Sequence, residues 1–251
     1  MAISYSFKKE RDIQSPYIMP VLKDMTENPR DRVAAQIRTM RSKESEEYTL
    51  NRSGFNYLNA LAGLQYAFSY IRGLSNPVVL DIGAGTTRGI SELEQTALAH
   101  GLRFEATVLR NDASIRQHFG TERVHVTGVE TLRGIPANSI GCVLGVLSVG
   151  YSAAPALAVR SIDRVLIHGG IVKLVLRMEK ARSGAVKNLN PPSAFEGEFR
   201  ALGYDVAAQD IGEAGILLAI KPGYEEAPKA EDLLNIDKDS LAQQASFFRN
   251  S

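Results

Sequence analysis

Cysteine is almost missing from this chain of 251 residues: Cys142 stands alone, which excludes a disulfide within the chain and leaves no thiolate pair for a structural metal site. It sits in the apolar run Ile140 to Val149, where a buried, unreactive thiol is expected. No stretch approaches the roughly 20 apolar residues that a membrane-crossing helix needs, and Met1 to Lys9 lack the apolar centre of a signal peptide. A cytoplasmic protein with no membrane partner is therefore expected. Charge of one sign is also lacking. Lys and Arg total 29 against 28 Asp and Glu, so the whole molecule carries no long-range field for nucleic acid. What is present, 44% apolar and 23% charged residues, suits one α/β core with extensions better than two full domains.

Along the chain, residues 1–76 read as a helical N-terminal extension. Pro16, Pro20 and Pro29 interrupt its start, and Asp31 to Glu47 can form an amphipathic helix whose Arg30, Arg32, Arg38, Arg41 and Lys43 are offset by Glu44, Glu46 and Glu47. That pattern suits a solvated face at least as well as a contact surface. Leu58, Leu61, Leu64, Phe68 and Ile71 then recur at helical spacing up to Gly73 and Pro77, predicting a helix against the sheet. Its Tyr57, Tyr66, Phe68 and Tyr70 could line a substrate pocket or pack in the core. From Pro77, short β-rich runs alternate with helical segments, the pattern of crossover connections in a mainly parallel sheet. Strands are expected near 78–82, 104–110, 123–127, 140–149 and 170–177, with helices over 87–100, 113–119, 153–166 and from Pro191 to Leu202. Two more strands, near 204–209 and 214–221, are close enough for an antiparallel hairpin. Residues 223–251 form an acidic tail with short amphipathic pieces at 231–236 and 240–248, a docked helix or a partner-binding segment. The three parts are thus 1–76, 77–222 and 223–251.

The first strand, Val78-Val79-Leu80, runs into Asp81-Ile82-Gly83-Ala84-Gly85-Thr86-Thr87 and then into a helix. Backbone N–H groups at such a turn are expected to face a ligand. A glycine pair alone says little, since any strand-to-helix turn can need positive φ. Asp81 adds more. A carboxylate beside a pyrophosphate would be repelled, whereas S-adenosylmethionine (SAM) brings a sulfonium and an amino group.

The segment from Pro77 to Lys221 resembles the class I SAM-dependent methyltransferases. Val79 to Thr86 looks like their first motif, and Gly128 to Ile140 like the loop between their third and fourth strands. Arg164-Val165-Leu166-Ile167-His168-Gly169-Gly170 is similar to their turn before the fifth strand, and Ala201 to Val206 and Gly215 to Lys221 look like their last two strands. The resemblance implies a three-layer αβα sandwich with a seven-stranded, mostly parallel sheet whose last strand is antiparallel. It implies SAM as cofactor, held by Asp81, Gly83, Ala84, Gly85, Thr87, Asp112 (on the ribose) and Glu130 (near the adenine), and an unidentified methyl acceptor.

The chain also departs from that pattern. Thr87 replaces the third glycine, and its hydroxyl could instead cap the following helix. Either Asp112 or Arg110 stands where the ribose carboxylate belongs. Val129 takes the position of the acidic residue near the adenine, and Gly141 that of the Asp opening the fourth strand. After that strand, Ser148-Val149-Gly150-Tyr151-Ser152 lacks the Asn-Pro-Pro-Tyr element of amine-directed nucleic-acid methyltransferases, so nucleic acid finds no support as acceptor. Tyr151, just past the carboxyl end of the strand, is the candidate substrate contact; His100, His118, His125 and His168 read as structural or solvated. Three functions follow from the residues: a SAM-dependent methyltransferase, an inactive methyltransferase-like scaffold or partner-dependent subunit engaging a protein through its extensions, and an NADP-binding oxidoreductase with Arg110 on the 2′-phosphate.

Overall fold

The computed structural model describes residues 64–84, 87–108, 119–120, 122–146, 148–177, 190–210 and 214–235. The amphipathic stretch at 31–47, all but the last residue of the helix expected over 113–119, and the tail segment at 240–248 lie outside them. Seven strands form one sheet: β1 (Val78–Asp81), β2 (Arg103–Val108), β3 (Val124–Val126), β4 (Ile140–Val146), β5 (Leu166–Arg177), β6 (Asp205–Asp210) and β7 (Ala214–Ile220). Their spatial order is β3-β2-β1-β4-β5-β7-β6. The first five run parallel, while β7 lies antiparallel between β5 and β6. Strand order reverses between β1 and β4, and a crevice outside the carboxyl ends of the strands at such a reversal is where open α/β sheets bind ligands.

Side chains alternate across the sheet and build a core on each face. On one face Val79, Cys142, Leu144 and Ile171 pack with Phe68 and Ile71 of α1 (Leu64–Ile71), Leu93 and Ala97 of α2 (Thr87–Ala99), and Leu233 of α5 (Ala230–Asn235). On the other, Leu80, Val143, Val172 and Leu217 meet Val159 and Ile162 of α3 (Pro155–Val165) and Phe195 and Phe199 of α4 (Pro192–Ala201). Each face removes its apolar side chains from water, at about 1.5 to 3 kcal/mol for a fully buried large one. The result is the three-layer sandwich expected from the sequence. Among the described residues no helix is long and apolar enough to cross a membrane.

Two features differ from the sequence expectation. The fifth strand starts at Leu166 rather than near 170, because the residues between Leu166 and Ile171 form a bulge inside it. Ile140 pairs with Leu166 and Cys142 with Ile171, a step of two against a step of five. Gly169 makes this possible with φ of 74°, and Tyr70 donates to its carbonyl at 3.0 Å. Tyr70 therefore serves the amino edge of β5, Phe68 is fully buried and Tyr66 is half exposed. None of these three lines the carboxyl edge. Tyr57 lies outside the described residues.

The second difference concerns Gly141. A Cβ there would lie 2.6 Å from the Asn76 carbonyl oxygen and 2.9 Å from Ile71 Cγ2. The end of α1 and the turn into β1 thus occupy the space a side chain would need.

Lys221, buried just after β7, ties the sheet to α3. Its Nζ donates to the carbonyls of Asp163 (2.6 Å) and Leu166 (2.8 Å), and it pairs with the Asp163 carboxylate at 3.2 Å. Tyr204 donates to the same carboxylate at 2.9 Å; burial and that neighbouring charge push its phenol well above the ordinary range. A cation at the last carbonyls of a helix is also favoured by the helix dipole. Lys221→Met keeps the apolar stem but leaves these acceptors unanswered, at a cost of about 2 to 3 kcal/mol. A thermal melt should fall by roughly 5 to 10 °C.

Candidate functional site

At the strand-order reversal, β1 ends on Asp81, whose side chain is buried, and the chain turns through Gly83 at φ of 70°. The N–H groups of this turn were expected to face a ligand. Instead Ile82 donates to the Leu144 carbonyl (2.8 Å) and Ala84 to the Thr107 carbonyl (2.9 Å), while Gly83 donates to Thr107 Oγ1 at 2.9 Å. The parallel strands on either side claim these donors because both present carbonyls at the level where β1 stops. Ser148, just past β4, closes the turn from above. Its hydroxyl donates to the Ile82 carbonyl, and its Cβ lies 2.6 Å from where a Gly83 side chain would begin. Only glycine fits there, on grounds of both φ and space.

A phosphate needs N–H groups aimed at it, and those of residues 82–84 are engaged inside the fold. The strand before them ends on the buried Asp81. Thr107 holds the arrangement, so Thr107→Val, which keeps the shape and removes the acceptor, should leave the Gly83 N–H without a partner and cost about 1 to 3 kcal/mol. Thr107→Ser should restore most of the melting temperature.

Sheet register adds a charge. Asp81 is opposite Leu144, and Leu144 opposite Lys173, so a buried carboxylate and a buried ammonium share one row and one face with a single strand between them. The same lysine acts on Cys142. Burial pushes that thiol up to about 12, against the smaller opposite effect of Lys173. Cys142 is therefore the protonated, inert core residue its sequence context predicts.

Beyond β4, Val149–Tyr151 forms one 3₁₀ turn leading to α3. Tyr151 stands at the carboxyl edge as expected, half-buried. Glu130, expected near the adenine, is bonded to the segment just ahead of α3: its Oε1 accepts from Ser152 Oγ (2.8 Å) and the Ala153 N–H (3.1 Å), and α3 begins at Pro155 after Ala154. From the other side Asn190 Nδ2 donates to the carbonyls of Gly150 (3.1 Å) and Ser152 (2.6 Å).

Gly85 and Asp112 lie outside the described residues. Thr87 opens α2. His100 bonds to Thr96, His125 to Glu105 and His168 to Pro222, so these three histidines have structural partners away from the loop, and His118 lies outside the described residues. Two shallow hollows among the described residues, of about 270 and 650 Å³, are lined by Arg72 and His100 and by Arg200 and Gln209 respectively. Neither includes Asp81, Gly83 or Tyr151. No group of acidic, His or Cys side chains among the described residues could hold a metal.

Residues 80–174 match a family model described as a methyltransferase domain. No curated protein matches the chain. Among solved structures, the DszA carbon methyltransferase is similar at 15% identity and a TM-score of 0.51, covering 86% of this chain and 70% of that one. The citrinin polyketide synthase CMeT domain is similar at 17% identity and a TM-score of 0.47, covering 59% and 47%, so this chain spans about half that structure's length. The 1,6-didemethyltoxoflavin-N1-methyltransferase of Burkholderia thailandensis, solved with its substrate and S-adenosylhomocysteine, is 21% identical with a TM-score of 0.44, covering 64% and 79%. Identities this low speak to fold alone.

Proposed function

We propose that this chain, whose residues 80–174 match a methyltransferase-domain model, is a divergent class I methyltransferase that binds SAM at the β1–β4 crevice and transfers its methyl group to an acceptor presented at the carboxyl edge. The observation that carries this reading is the polarity of the loop: Asp81 ends β1, while the donors of residues 82–84 are turned into the sheet. A ligand with an amino group and a sulfonium suits a carboxylate at the strand end better than a pyrophosphate does, which supports SAM over NADP. Asp81 and the turn through Gly83, Ala84 and Gly85 would hold the amino-acid end, Thr87 the start of α2 beside it, and Asp112 the ribose. Glu130 would act indirectly, through the segment that carries Tyr151. Bound SAM supplies an electrophilic methyl carbon, and displacement there depends mainly on alignment of the nucleophile. The protein's part is to hold the two reactants in line and to keep water out.

Residues 77–222 are taken as the transferase unit, with 1–76 and 223–251 as extensions available to a protein partner. The acceptor is a small molecule or a protein or RNA group. With a single buried thiol and no disulfide, the chain suits a reducing compartment, and the cytoplasm is the proposed place of action. Titration of the full chain with S-adenosylhomocysteine and with NADPH separates the readings. Saturable binding of the former and none of the latter is expected; the reverse would replace a methyltransferase with an oxidoreductase.

A further inference from the structure

Tyr151 is held from two directions by segments far away in sequence. Asn190 supplies one side: its Nδ2 reaches the carbonyls of Gly150 and Ser152, the residues flanking Tyr151, and its own N–H donates to Gly150 at 2.9 Å. Glu130 supplies the other, accepting from Ser152 Oγ and Ala153 N–H. Asn190 is itself mounted rigidly. Pro191 and Pro192 follow it, with Pro191 at φ of −70° and Pro192 the first residue of α4, and Phe195 and Phe199 of that helix are fully buried. The same turn connects to the glycine loop through Ser148, which bonds to Ile82 and covers Gly83. One short stretch, 148–153, thus spans from the cofactor loop to the candidate acceptor contact.

We propose that Asn190 is a positioning residue for the acceptor: it fixes the Tyr151 turn in its working shape before any ligand arrives. The inference rests on the methyltransferase reading for what the turn receives, but the holding role itself does not. Three donated bonds to the two carbonyls that flank Tyr151 restrain the turn more than α4 requires, because Asn190 lies ahead of the helix and its side chain does not cap it. Preorganising a contact residue in this way lowers the ordering cost of binding.

The test labels position 151 with 3-fluorotyrosine and follows its fluorine resonance in the full chain and in Asn190→Asp and Asn190→Ala. In the parent a single narrow line is expected, unchanged between pH 4 and 8. Asn190→Asp replaces the two-bond donor with a carboxylate facing two carbonyls, so the line should shift and broaden at pH 8. It should return toward the parent position as the new carboxyl gains a proton and can donate once. Asn190→Ala should broaden the line at every pH. Affinity for S-adenosylhomocysteine should stay within about twofold of the parent, since 1.4 kcal/mol would be tenfold. An unchanged fluorine line in both variants, even with a lowered melting temperature, would overturn the proposal by showing that Asn190 only supports α4. If the lines behave as expected but the parent protein does not bind the adenosyl ligand, the methyltransferase reading fails while Asn190 still holds the turn.

Discussion

Changing Asp81 to Asn should lower the affinity for SAM and S-adenosylhomocysteine by about 10- to 100-fold, the weight of one charge-assisted hydrogen bond of roughly 1.5 to 3 kcal/mol. The substitution preserves shape at a position that is 1% exposed, so the sheet should still form and calorimetry of the folded variant gives the comparison directly. The sign of the effect discriminates between ligands. If the crevice held a pyrophosphate, removing a negative charge beside it would strengthen binding rather than weaken it. Lys173, in the same row on β5 with only β4 between it and Asp81, contributes a buried positive charge to this region, so the loss of Asp81 also leaves that face with an excess of one sign. A melt of Asp81→Asn in the absence of ligand should therefore show some loss of stability, separate from the loss of affinity.

The largest effect on folding is expected at Gly141. Restoring the Asp that the methyltransferase resemblance places at the head of the fourth strand should cost more than about 4 kcal/mol, in the range reserved for buried charges without partners and overfilled cores. The new Cβ alone would meet Asn76 O at 2.6 Å and Ile71 Cγ2 at 2.9 Å, and a carboxylate beyond it would press on the buried end of α1 against the Asn76 carbonyl. Either α1 leaves the sheet or the chain fails to fold. Gly141→Ala, with only the Cβ to accommodate, should lose about 1 to 3 kcal/mol. Urea unfolding of the two variants, with limited proteolysis near Arg72 to report on α1, checks both. An Asp variant as stable as the parent would show that α1 is not tightly seated on β4, and the reason offered here for the glycine would be wrong.

Much of the sheet was legible because it is written locally. Val78-Val79-Leu80, the run from Ile140 and the hairpin strands 205–210 and 214–220 are short apolar segments between turn residues, and their order alone implies crossovers. The start of β5 was less visible: His168-Gly169-Gly170 reads as a turn, and only pairing with β4 reveals a bulge. The parts of the site that sequence reasoning missed are contacts across long stretches of chain. Thr107 and Gly83 are 24 residues apart, Asn190 and Gly150 are 40, and Ser148 and Ile82 are 66. No spacing rule connects such pairs, and a Ser or Thr at a strand end carries no signal of its own. Glu130 is a contact of the same kind: its Oε1 accepts from Ser152 and Ala153, 22 and 23 residues away.

The account stands on a cationic ligand lying in the crevice between β1 and β4 with its amino-acid end at Asp81 and Gly83. The most direct measurement is a crystal structure of the full chain grown with saturating S-adenosylhomocysteine. The amino group should lie within hydrogen-bond reach of the Asp81–Gly85 loop, the adenosyl group should point toward the carboxyl end of β2, and the Thr107 to Gly83 bond should remain intact. Adenosyl density elsewhere on the molecule, or a loop whose residues 82–84 turn their N–H groups outward onto a phosphate when NADPH is supplied instead, would contradict it.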